Sequence, residues 1–93
     1  MVVASQTWEL MLPGCASLKE KRSVIRSLRD RLRSKFNVSV AETGLQDVPT
    51  RAELSIALVA SDGRLAESVL EKTDRFVEMH GGASIVRATR EVY

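Results

Sequence analysis

Two alternating runs lie at the centre of the chain, Asn37-Val38-Ser39-Val40-Ala41-Glu42-Thr43 and Ala52-Glu53-Leu54-Ser55-Ile56-Ala57-Leu58-Val59-Ala60, and the loop Gly44 to Arg51, holding Pro49, separates them. In the first, Val38 and Val40 share one parity and Ser39 and Ala41 the other. In the second, Leu54, Ile56 and Leu58 oppose Glu53, Ser55, Ala57 and Val59. A period of two is the mark of a strand, because successive side chains point to opposite faces. Both runs therefore read as strands, the second as a central one, and the loop between them makes a hairpin.

Helical patterns flank this hairpin. Upstream, Ser17-Leu18-Lys19-Glu20 has the S-x-x-E form of a capping box, in which Ser17 and Glu20 satisfy free amide donors at a helix start. Leu18, Ile25, Leu28, Leu32 and Phe36 then recur at three-, four- and seven-residue intervals with Val24 beside them, one buried stripe on a helix of about five turns. Downstream, Asp62 or Ser61 caps a second helix whose apolar face is expected to hold Leu65, Val69, Leu70, Phe76, Val77 and Met79. Gly81-Gly82 ends it, the first glycine expected in the left-handed conformation that helix ends prefer.

A first and a last strand complete the pattern. Val2 to Leu12 is rich in β-prone residues, with Trp8, Leu10 and Leu12 on one parity, and Pro13-Gly14 stops it. Ala83 to Tyr93 reads as the last strand, with Ile85, Val86, Ala88 and Val92 as its apolar members. The order β-α-β-β-α-β, with right-handed crossovers, predicts an α+β ferredoxin-like split βαβ: a four-stranded antiparallel sheet with both helices on one face. The other face is left open.

Composition agrees with one domain spanning residues 1–93. Ninety-three residues, 44% hydrophobic and 28% charged, suit a single small globular core and exclude disordered and fibrous classes. The one cysteine, Cys15, has no partner for an internal disulfide, and no Cys/His cluster is present for zinc, so neither a metal nor another cofactor is expected. Met1-Val2-Val3 lacks the charged flank of a signal peptide and no apolar run approaches the span of a bilayer, so the expectation is a cytoplasmic protein with no membrane partner.

Ser17-Leu18-Lys19-Glu20-Lys21-Arg22 after Leu12-Pro13-Gly14, together with Phe36-Asn37-Val38-Ser39-Val40-Ala41-Glu42 and Arg51-Ala52-Glu53-Leu54, resembles the YlxP-like family of small bacterial proteins over nearly the whole chain. The resemblance implies a single ferredoxin-like domain without an assigned biochemical function. Relatives are often encoded among genes for translation initiation and ribosome maturation, which implies a role near RNA or the ribosome. It carries over no catalytic residue. Cys15 in the first turn and Met11, where a polar residue is expected, depart from the pattern without threatening the fold.

The uneven charge bears on partners. Net charge is +2, yet residues 19–35 hold eight basic residues against two acids, while the remainder carries six basic and ten acidic residues. At 100° per residue, Lys19, Arg22, Arg26, Arg29 and Arg33 fall within one sector beside the apolar stripe. Such a ladder can follow a phosphate backbone, arginines making bidentate contacts and released counterions supplying entropy. The bland alternative is a solvated face paired with nearby acids. Lys21 lies in the apolar sector, with Glu42 as a candidate counter-ion, and is expected to reach solvent along its methylene stem.

Other candidates carry less. The turn Pro13-Gly14-Cys15-Ala16-Ser17 opens a helix N-terminus that can attract an anion, though no nucleotide fingerprint accompanies it, and Cys15 reads as a packed residue. His80 is expected to cap the second helix, and Glu9 and Glu53 to lie side by side on the open face without a nucleophile or metal. An acylphosphatase-type enzyme would share the fold, but needs an arginine where this chain has Pro13-Gly14-Cys15-Ala16, so the expectation is a non-enzyme. The open face would present Thr7, Glu9, Met11, Ser39, Ala41, Glu53, Ser55, Ala57 and Val59, with no aromatic on which to stack bases. Small apolar residues there suit a homodimer instead, the alternative to a module that binds structured RNA or a ribosomal surface.

Overall fold

The computed structural model describes residues 1–93 as β1 (Val2–Met11), α1 (Leu18–Lys35), β2 (Ser39–Gly44), β3 (Arg51–Ala60), α2 (Gly63–Met79) and β4 (Ser84–Val92). The sheet order is β2-β3-β1-β4 with every neighbouring pair antiparallel, as the split βαβ requires. The parity of the strands decides the two faces. Ala4, Trp8 and Leu10 of β1, Val40 of β2 and Leu54, Ile56 and Leu58 of β3 are buried beneath the helices with Ile25, Leu28, Leu32, Leu70 and Val77. The register sets Trp8 opposite Leu54 and Val40 opposite Ile56, so the core forms as one layer between sheet and helices.

Capping of α1 follows the S-x-x-E pattern with one change. Ser17 Oγ accepts from Glu20 N at 3.2 Å, while the Glu20 carboxylate reaches past Ser17 to accept from Ala16 N at 3.2 Å. Asp62 caps α2 by accepting from Leu65 N at 2.8 Å.

Two expectations about α2 are corrected. Leu65 and Met79 are exposed rather than on the buried face of α2; the core-facing positions are Ala66, Leu70, Thr73 and Val77. Thr73 fits there because its hydroxyl donates to Leu70 O at 2.8 Å. The left-handed residue after α2 is Gly82, φ 94°, not Gly81, since His80 closes the helix and donates to Val77 O. In β4 only Ile85 is half-buried, and Val86, Ala88 and Val92 are exposed. β4 is an edge strand paired with β1 alone, so half its backbone and most of its side chains meet solvent.

A polar network, buried at Trp8 and Gln6 and exposed at Arg90 and Glu67, ties α2 and β4 to β1. Trp8 Nε1 and Gln6 Nε2 both donate to Asp74 Oδ1 at 2.8 Å, Arg90 Nε donates to Gln6 Oε1 at 2.9 Å, and Arg90 is ion-paired with Glu67 at 2.9 Å. Leaving the Trp8 and Gln6 donors without Asp74 would cost about 1–3 kcal/mol each, so the network fixes the seating of α2 as firmly as an apolar contact.

Candidate functional site

The flank of α1 nearest β2 is built by the same helical period that buries its stripe. Because Ile25, Leu28 and Leu32 face the sheet, residues three and four positions around the helix emerge together on one side. Lys19, Arg22, Arg26 and Arg33 are exposed there and Arg29 is half-buried. The rise of an α-helix spreads the five over about 21 Å, enough to meet several successive phosphates. None of them lies within 4.0 Å of a carboxylate, since the ion pairs of the molecule are Lys21–Glu42, Arg51–Glu9 and Arg90–Glu67.

One of the five is held by the fold and another is half-buried without a partner. One Arg33 guanidinium nitrogen donates to Val40 O at 2.9 Å, which seats the lower end of the flank on β2. Arg29 Nε is buried and has no hydrogen-bond partner. Arg22, Arg26 and Arg29 line a notch of about 110 Å³ with Ile25 and Glu42.

Glu42, which lines that notch, is already paired from the core side. Lys21 is 1% exposed, its ammonium 3.1 Å from Glu42 Oε2 and donating to Leu45 O. The expectation that Lys21 reaches solvent is therefore wrong: its stem points inward, and Leu45, at φ 57°, turns its carbonyl toward the ammonium. Glu42 as counter-ion was legible from strand parity; the burial was not.

The other candidates resolve locally. At the start of α1 the Glu20 carboxylate itself takes Ala16 N, so the helix N-terminus already holds an anionic group of its own. Cys15 is buried and packed into the core. Glu9 and Glu53 are direct cross-strand partners, and Arg51 binds Glu9. On the open face Thr7, Ser55 and Thr43 join hydroxyls across β1, β3 and β2 at 2.8 and 2.7 Å. Trp8 is buried on the opposite face and both phenylalanines lie in the helical layer.

A feature that sequence reading missed lies where the helices end. Phe36 and Phe76 meet edge to face, centroids 5.8 Å apart, beside a cavity of about 490 Å³ that Met79 and His80 also border. The four-residue spacing of Arg31 and Lys35 and the three-residue spacing of Lys72 and Arg75 were the signal, but only the packing of α1 beside α2 brings them together.

Comparison with known proteins places the chain in a family. The model of a family described as "Protein of unknown function (DUF503)" matches residues 3–90. The chain belongs to this family. It is also 37% identical over 70 residues to the uncharacterized protein YlxP of Bacillus subtilis (strain 168), covering 75% of this chain and 76% of that protein. No helix of the structure is long and apolar enough to cross a membrane.

Proposed function

We propose that this member of the family is a non-enzymatic binding module that docks structured RNA, on its own or at a ribosomal surface, through Lys19, Arg22, Arg26, Arg29 and Arg33. The observation that carries this reading is the absence of any carboxylate within 4.0 Å of the five: Asp30 on the same helix pairs with none of them, and Glu42 is bound to Lys21. Like charges set side by side on a helix destabilise it, and an external polyanion removes that repulsion while releasing its counterions. Arg29 Nε adds a donor with no acceptor inside the fold. The test is fluorescence anisotropy with ribosomal RNA fragments. Wild type should bind at low salt and Arg26→Glu/Arg29→Glu should not; indifference to the double substitution would remove the proposal.

A second reading rests on the open sheet face. Met11 and Val59 are exposed there at 44% and 64%, and the adjoining small residues would allow two copies to pack face to face. Sedimentation decides it: a stable dimer indifferent to RNA would favour this reading over the first.

A further inference from the structure

We infer that the cleft between the C-terminal halves of α1 and α2 is a nucleotide site. It would take a nucleoside phosphate, either free or as an unpaired unit of an RNA strand. Arg31 and Lys35 reach it from α1 and Lys72 and Arg75 from α2, around Phe36 and Phe76. These are not the five residues of the α1 flank, and either reading can fail alone.

Three observations carry the inference. No carboxylate lines the cleft, and none of its four cations is within 4.0 Å of one. Lys35 complements the dipole at the end of α1, but Lys72 and Arg75 sit inside α2, away from its last turn, so the dipole does not account for them. Both rings are half-buried, and the Lys35 ammonium lies 5.2 Å from the Phe76 centroid and 6.0 Å from that of Phe36. A ring contact that already attracts a cation is open to a flat π-system as well. Cations alone would take any anion; the half-buried rings beside them add a preference for an anion that carries a planar ring. The cavity, about 490 Å³, is within the range of small-ligand sites. On binding, Lys35 would exchange its ring contact for a phosphate oxygen and the base would take its place.

Calorimetric titration of the whole chain with ATP, inorganic tripolyphosphate and single-stranded hexa-adenylate RNA tests the site. ATP should bind roughly tenfold tighter than tripolyphosphate, the margin expected of one stacked base. Lys72→Glu/Arg75→Glu should weaken ATP or hexa-adenylate by more than roughly tenfold, whereas Arg26→Glu/Arg29→Glu should leave ATP unchanged. Phe76→Leu should lower affinity for the adenine ligands and not for tripolyphosphate; should circular dichroism show it unfolded, the exposed Lys72/Arg75 pair decides. Binding of ATP without hexa-adenylate identifies a free nucleotide as the ligand, and the reverse identifies an RNA strand. Equal affinity for ATP and tripolyphosphate, no binding of either adenine ligand, or indifference to Lys72→Glu/Arg75→Glu would overturn the inference.

Discussion

The two acids of α2 that face β1 and β4 and the β2-side flank of α1 are both charged groups at helical spacing, and the fold treats them oppositely. Glu67 and Asp74 of α2 are bound within the chain, the exposed Glu67 by Arg90 and the half-buried Asp74 by Trp8 and Gln6, so they hold α2 to β1 and β4. Lys19, Arg22, Arg26 and Arg29 have no carboxylate within 4.0 Å, and of the five only Arg33 finds an internal acceptor, Val40 O. Charge that a fold binds to itself is spent on architecture, and charge left over is what another molecule can use. Lys21 shows the boundary within α1: one residue before Arg22, it is buried and paired with Glu42.

Substitutions in the two groups separate the roles. The largest loss is expected for Lys21→Ala, which strips the buried partner from Glu42 and from Leu45 O; about 3–5 kcal/mol of stability should disappear in urea unfolding. Near-wild-type stability would mean that the pair is not formed in solution. Asp74→Ala should cost about 2–4 kcal/mol, because two buried donors lose one acceptor, and the same titration should show it as a lower midpoint at unchanged slope. Ser17→Ala removes the cap of α1 and should cost about 1 kcal/mol in thermal unfolding. Smallest of all, Arg22→Gln/Arg26→Gln should change stability by no more than about 0.5 kcal/mol, since those exposed side chains hold nothing in place; a loss as large as that of Asp74→Ala would make them structural and erase the contrast.

Periodicity was enough to read the architecture, since Trp8, Leu10, Leu54 and Ile56 declare their face by parity and Ile25, Leu28 and Leu32 by helical spacing. The ladder of α1 was legible for the same reason, as all its members belong to one regular element. What escaped depends on contacts between elements. Asp74 as the shared acceptor of Trp8 and Gln6 lies more than sixty residues away from both. The burial of Lys21 requires the Leu45 turn to fold over it, and the Phe36–Phe76 cleft needs two helices side by side. Leu65 and Met79 misled because apolar character was counted without noticing that Ala66 and Thr73 fill the inward positions of α2.

The residues that carry the family resemblance now have physical roles. In Ser17-Leu18-Lys19-Glu20-Lys21-Arg22, Ser17 and Glu20 cap the helix and Lys21 anchors it to Glu42 and the Leu45 turn. Most of that motif is scaffold, with Lys19 and Arg22 its two members on the free flank.

How steeply RNA affinity falls with salt interrogates that free flank most directly. Anisotropy titrations from about 50 to about 200 mM monovalent salt should show binding weakened by roughly 500-fold if all five cations meet phosphates, and Arg26→Gln/Arg29→Gln should lower the logarithmic slope by about 2. A slope shared by wild type and the double variant would contradict the account.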